Sequence, residues 1–409
     1  MRLTAVLEQR FDRTPDGRVW TPGPHGYPFW ERYLTVFSEV RVVARVRDVP
    51  AVTGHPMTGS LRPASGPGVT FAAVPHFLGP LGFVRQYGKV RRAIGRAVRD
   101  PQAGAVLLRI PGTLSNVAFT ALAGRPFAAE VVADPHDQHA PGVRRHPLQA
   151  FFRRSYTRQM TEQCRRSSVT AYVTAEALQR RYPTDGRAFA LSDVDLPPEA
   201  YAARPRVWHP EPHEAVMVCT LELNIKGVDV SIGAVRVLRD RGLKVRLRIV
   251  GDGLLRSQFE RQAAALGVAG QVTFIGAVAG GEAVRAQLDR SDVFLMPSRQ
   301  EGLPRAMVEA MARGLPALGS EIGGIPELLG PEERFALGPA DLGGADTLQA
   351  ETVADALQRL LSDPARYDAQ GARNLEVSRA YANSALADTR LQFYQAVRGV
   401  GEAQDSTRS

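Results

Sequence analysis

Residues 292–327 read DVFLMPSRQEGLPRAMVEAMARGLPALGSEIGGIPE: a strand pattern, a loop, a helix pattern and a second turn. Asp292 to Met296 is a short apolar run bounded by turn formers, as in a buried parallel strand. Pro304 suits the first position of a helix, where its missing N–H costs nothing, and Ala306, Met307, Val308, Ala310, Met311 and Ala312 carry that helix to Gly314. Strand, tight loop and helix in succession offer free backbone N–H groups and a positive dipole end to an anion. Two carboxylates frame the unit, Glu301 in the loop and Glu309 inside the helix, more than a turn further in. A diphosphate at the helix start leaves each acid to meet neutral hydroxyls on either side of it, the layout of ribose, diphosphate and sugar in a nucleotide sugar. Gly323 and Gly324, ahead of Pro326 and Glu327, form a turn where backbone approaches phosphate with no side chain in the way.

Glu301 and Glu309 with seven residues between them, inside EGLPRAMVEAMARGLP and followed by GGIPE, resemble the donor site of the family 4 retaining glycosyltransferases of the GT-B fold. A lone E-x7-E is weak, because acids recur on any helix surface; the strand before it and the GGxxE turn after it make the pattern specific. The resemblance covers residues 215–330 in detail and the whole chain in outline. It implies an α/β protein of two doubly wound Rossmann-like domains facing across a cleft, with a C-terminal helix crossing back to the first domain. It also implies transfer of a sugar, with retained configuration and no metal ion, from a nucleotide-diphosphate donor to a saccharide or lipid-linked acceptor. No cofactor is expected beyond that donor, and bacterial envelope or exopolysaccharide synthesis is the expected setting.

A chain of 409 residues exceeds what one core usually serves, which points to two domains. The expected bounds are 1–200 for an acceptor-side domain, 201–380 for a nucleotide-sugar domain, 381–400 for the crossover helix and 401–409 for a polar tail. Apolar content of 44% and charged content of 23% are those of a globular protein. The N-terminus MRLTAVLEQRF reads as no signal peptide, and the uncharged run from Ile110 to Gly124 is too short and too broken to span a bilayer. Cys164 and Cys219 stand alone, which fits a reducing cytoplasm and suggests no metal or redox site.

The net charge of +9 is uneven: residues 1–200 hold 27 of the 51 Lys and Arg but 16 of the 42 Asp and Glu, so the first half carries the whole excess. Lys89, Arg91, Arg92, Arg96 and Arg99 form one cluster, followed by Arg144 and Arg145, then Arg153, Arg154 and Arg158. No aromatic-interleaved or helix-turn-helix pattern accompanies them, so nucleic acid is not the expected partner. An anionic membrane surface or a phosphate-bearing acceptor fits the charge, as does a plain solvated face. The expected location is the cytoplasm, at the inner face of the membrane.

Strand patterns at Leu3–Leu7, Val40–Val46, Val69–Val74 and Ala105–Ile110 alternate with helix patterns at Phe29–Phe37, Gly82–Val98 and Asn116–Ala123, which means a parallel sheet wound on both faces. A further strand ends at Val132, before D-P-H-D. In the resembling family a His at such a strand end reaches the transferred sugar, so that role falls to His136; His139 and His146 read as loop histidines without metal spacing. Residues 183–214, with six prolines, read as an interdomain linker, and D-V-D at 193–195 as linker polar residues rather than the metal-binding pair of a GT-A enzyme.

The second half opens with a strand, Ala215–Cys219, then T-L-E-L-N-I-K-G and a helix, Val228–Arg239. Family members often read G-R-L-x-x-x-K-G here, Arg and Lys both holding the diphosphate; Lys226 and Gly227 match, while Leu221 and Glu222 stand near the place of the Arg. Gly251, after the strand Val245–Val250, and Gly276 and Val278, after the strand Val272–Ile275, border the nucleotide in the family arrangement. The resemblance thus assigns Lys226, Gly302, Leu303, Gly323 and Gly324 to the phosphates, Glu309 to the ribose, and Glu301 and His136 to the transferred sugar. A nucleotide-sugar epimerase and a binding protein without turnover on the same fold are the alternatives.

Overall fold

The computed structural model describes residues 1–52, 61–138, 149–210, 212–338 and 347–406. Arg144, Arg145, His139 and His146 lie outside the described residues. The chain divides into two compact units, one of residues 1–133, 156–191 and 387–409, the other of residues 134–155 and 192–386. Sequence spacing gave no sign that residues 134–155 would go with the second unit.

The strands of the first unit are β1 (Arg2–Arg13), β2 (Val19–Thr21), β3 (Glu39–Asp48), β4 (Arg62–Pro63), β5 (Val69–Pro75), β6 (Ala105–Ile110), β7 (Ala128–Val131), β8 (Val169–Tyr172) and β9 (Arg187–Ala190). Seven of them run parallel in the order β5-β3-β1-β6-β7-β8-β9, with β2 and β4 added antiparallel. All six residues of β6 are buried, because this central strand is covered on both faces. The helices through residue 191 are α1 (Tyr27–Glu31), α2 (Gly79–Arg99), α3 (Thr113–Leu122), α4 (Pro135–Gln138), α5 (Gln149–Arg166) and α6 (Ala177–Arg181). The helix expected from Phe29 to Phe37 is α1 followed by a 3-10 turn, Arg32–Thr35.

The second unit holds β10 (His213–Val218), β11 (Val245–Val250), β12 (Val272–Gly276), β13 (Val293–Met296), β14 (Ala317–Ser320) and β15 (Arg334–Phe335). They form one parallel sheet in the order β12-β11-β10-β13-β14-β15. Its helices are α7 (Val228–Asp240), α8 (Arg256–Ala265), α9 (Glu282–Asp289), α10 (Arg305–Ala312), α11 (Ile325–Leu328), α12 (Thr347–Leu361) and α13 (Pro364–Ser378). Ala215, Met217, Leu247, Ile249, Val293 and Leu295 alternate onto the face that α7, α8 and α12 cover. Three polar side chains of α13 are buried and bonded: Tyr367, Gln370 and Asn374 donate to the carbonyls of Asp292, Ala317 and Leu315, fixing the helix to the sheet.

Two expectations need correction. The segment 183–214 is not all linker, since β9 pairs parallel with β8; as an edge strand with only Phe189 buried, it lacks an apolar run. Within the bound expected for the second domain, α13 follows the helix that closes at Leu361, capped by Asp363 and started by Pro364. The polar tail is largely helix: α14 (Asn383–Ser406) continues past residue 401, with Arg398 and Glu402 paired one turn apart at 2.8 Å. Phe393, Tyr394 and Val397 of α14 belong to the core of the first unit, where Tyr394 stacks on Tyr33 at 4.3 Å between ring centroids.

Candidate active site

Strand order in the second sheet reverses between β10 and β13, so the loops that follow them diverge and leave a crevice beyond their carboxyl ends. Lys226, in the loop after β10, meets Glu301, in the loop after β13: Nζ donates to Oε1 at 2.6 Å. The Glu301 side chain is 6% exposed and that of Lys226 20%, so this charge pair sits at the floor of the crevice. Two glycines let the loops close. Gly227 has φ +69°, and a Cβ there would stand 2.0 Å from the carbonyl oxygen of Pro297; Gly323 has φ +57°, and a Cβ would stand 2.3 Å from that of Glu301.

Arg299, two residues before Glu301, is buried and was not singled out in the sequence. Its guanidinium forks onto Asp229 at 2.9 and 3.0 Å and reaches the Asn224 carbonyl at 3.2 Å, while its N–H donates to the Ile225 carbonyl. Arg299 thereby ties the loop that carries Lys226 to the loop that carries Glu301. The only hint was a basic residue beside the acid in S-R-Q-E-G, with Asp229 in the first turn of α7. Leu221, near the place of the family's arginine, is fully buried, and its N–H donates to the Asp252 carbonyl. An arginine at that position would bury an unpaired guanidinium.

Pro304 is the N-cap of α10 rather than its first residue, and the helix begins at Arg305. The Gly324 N–H, expected to face phosphate, instead donates to the Gly302 carbonyl at 2.7 Å and closes the turn. The N–H groups of Gly302, Leu303, Gly323, Arg305 and Ala306 make no hydrogen bond with any described residue, which leaves five donors at the crevice end of the helix. Glu309 lies in α10 with its carboxyl held above the usual carboxylate range, chiefly by burial and against the pull of Arg305 and Arg285. Beside the pair, burial pushes the Cys219 thiol up to about 12, so it is no nucleophile at neutral pH.

Gly251 and Gly276 meet at the carboxyl ends of β11 and β12, the Gly251 N–H donating to the Gly276 carbonyl at 2.9 Å. Arg256 lies against Gly276, bonded to Asp252 at 3.1 Å and to the Phe274 carbonyl at 3.3 Å, and Val278 is half-buried just beyond. His136 is the second residue of α4, and its N–H donates to Asp134 Oδ1. Its Nδ1 sits between Arg153 Nη2 at 3.1 Å and Asp137 Oδ1 at 3.2 Å, which fixes the ring, and no described residue engages Nε2.

Residues 212–363 match the family described as Glycosyl transferases group 1. Protein CapJ of Staphylococcus aureus is 24% identical over 318 residues, 76% of this chain and 76% of CapJ. The GDP-mannose-dependent alpha-(1-6)-phosphatidylinositol dimannoside mannosyltransferase of Mycobacterium tuberculosis is 31% identical over 177 residues, 43% of either chain. Among solved structures, sucrose-phosphate synthase from Thermosynechococcus elongatus superposes with a TM-score of 0.70 at 16% identity, over 98% of this chain and 99% of that one, a likeness of fold. The chain thus carries, in residues 212–363, a match to the glycosyl transferases group 1 family, on a GT-B fold built from two largely parallel sheets.

Proposed function

We propose that the chain is a retaining, metal-independent glycosyltransferase that takes a sugar from a nucleotide-diphosphate donor to a saccharide or lipid-linked acceptor in envelope or exopolysaccharide synthesis. The observation that carries this reading is the Lys226–Glu301 pair at the switch point of the second sheet, next in sequence to the N–H groups of Gly302 and Leu303, which make no hydrogen bond with a described residue. The name of the mannosyltransferase relative, GDP-mannose-dependent and acting on a phosphatidylinositol dimannoside, supports both the donor and the acceptor class.

In this reading the donor diphosphate lies against the amino end of α10, where Lys226 and the free N–H groups of Gly302, Leu303 and Gly323 offset the charge that grows on it. Lys226 then exchanges part of its bond to Glu301 for phosphate, and Glu301 turns to hydroxyls of the transferred sugar. Glu309 accepts from the ribose, Gly251, Gly276 and Val278 border the base, and His136 offers Nε2 to the sugar. The bond from the anomeric carbon to the phosphate oxygen breaks with its electron pair going to that oxygen. The acceptor hydroxyl oxygen bonds to the same face of the carbon, and its proton passes to the departing phosphate. An ammonium, backbone donors and a helix dipole at the diphosphate make a metal ion unnecessary, and the rate is expected to be indifferent to a chelator.

The test is incubation with UDP-, GDP- and ADP-sugars. Release of nucleotide with a product of unchanged anomeric configuration supports the reading, and an epimerised donor or inverted product overturns it. A binding protein without turnover is the second reading, favoured by the buried Leu221 near the place of the family's arginine, which leaves Lys226 without that second cation. Donor-dependent stabilisation with no nucleotide release in the presence of acceptor glycolipids would select it. His136→Ala should lower turnover at unchanged melting temperature; equal turnover removes His136 from the site.

A further inference from the structure

The outer side of α2 combines two features that a solvated helix does not need. Of the ten large hydrophobic residues exposed among the described residues, four cluster here: Leu78 at 61%, Leu81 at 76%, Val84 at 69% and Tyr87 at 44% exposure. Val90, Ile94, Ala97 and Val98 bury the inner side. Positions 81, 84, 85, 88, 91, 92, 95, 96 and 99 recur at intervals of three and four along one face, so Leu81 and Val84 share it with Arg85, Arg91, Arg92, Arg96 and Arg99. That face opens into a basin of about 650 Å³ lined by Arg91, Arg92, Arg96 and Arg99, with Gly88 and Gly95 leaving its floor clear of side chains.

The charges in the basin are largely uncompensated. Its one acid, Asp100, is held by Arg41 at 2.8 Å. Arg99 donates to the Ala121 carbonyl and Arg92 to that of Gly88. Arg85, Lys89, Arg91 and Arg96 have no carboxylate partner among the described residues. Apolar side chains left in water beside unpaired arginines match a surface that is itself oily below and anionic above. No helix among the described residues is long and apolar enough to cross a membrane.

We infer that the outer face of α2 docks the first unit on an anionic lipid bilayer, with Leu78, Leu81 and Val84 entering the headgroup–acyl boundary and lipid phosphates seated among Arg91, Arg92, Arg96 and Arg99. This deepens the proposed function on its acceptor side, resting on that reading for its purpose alone. Vesicle binding is measured without donor, so failure of one is distinguishable from failure of the other.

The experiment is co-sedimentation of the full chain with phosphatidylcholine vesicles, plain or containing roughly one third phosphatidylglycerol, over a range of salt. Binding to the anionic vesicles that fades with salt is expected. The triple variant R91A/R92A/R96A should lower the partition coefficient about a hundredfold, at about fivefold per charge, with an unchanged melting temperature. The double variant L81N/V84N should weaken binding while keeping its salt dependence. Equal capture by neutral and anionic vesicles, or a triple variant that partitions like the wild type, overturns the proposal. So does competition by inorganic phosphate together with indifference to L81N/V84N, which would assign the arginines to a soluble anion.

Discussion

Lys226 and Glu301 hold each other at 2.6 Å in the crevice, so each is partnered before any donor arrives. On the proposed reading, replacing Lys226 by Ala removes one charged hydrogen bond to the donor phosphate, about 1.5–3 kcal/mol, and turnover should fall about ten- to a hundredfold. It also strands a buried carboxylate, so melting temperature must be followed beside rate; a rate loss fully explained by unfolding would remove the catalytic role. Glu309 tests the opposite balance. Burial raises its carboxyl above 4.5, so the charged form is disfavoured in the folded chain, and the resulting stability cost sets in as pH rises through 4.5 and persists at neutral pH. Glu309→Gln should therefore raise the melting temperature by about 1–3 °C at pH 7.5 but not at pH 4, while weakening donor binding. Equal melting of the two proteins at both pH values would contradict the buried-carboxylate account. Motif spacing singles out both acids and Lys226; that the lysine and an acid pair directly is not legible in it.

At the scale of elements, the two loops after β10 and β13 are joined by Arg299, whose fork onto Asp229 needs a planar guanidinium. Arg299→Met should lower kcat about tenfold and speed amide exchange over residues 219–229, and Lys should not restore either, since it cannot bridge both carboxylate oxygens. Normal exchange in that loop with a lowered kcat would mean Arg299 acts some other way. Central strands such as β6 and β13 were legible because burial on both faces writes an apolar run, broken in β6 only by Arg109. The edge strand β9 and the helix α13 were not. One turns a single side chain inward, and the other buries Gln370 and Asn374, residues whose type suggests a surface.

For the whole molecule, the last helix decides where the first unit ends in sequence. A chain stopped at residue 386 loses Phe393, Tyr394 and Val397 from that core, each worth about 1.5–3 kcal/mol of burial. Limited proteolysis of the truncated chain should degrade residues 1–133 while fragments from 192–386 persist; a protease-resistant first unit would show that α14 is dispensable to it. Sequence by itself determined the parallel core of the two sheets, the strand-loop-helix unit around Glu301 and Glu309, and the excess of positive charge in the first half, because each is written as local periodicity, spacing or composition. Tertiary structure alone decided the Lys226–Glu301 contact, the tie through Arg299, the use of the Gly324 N–H inside its own turn, and the side of α2 left to solvent. These depend on which loops the strand order β12-β11-β10-β13 brings together and on which faces other elements cover, and no window of neighbouring residues carries that information.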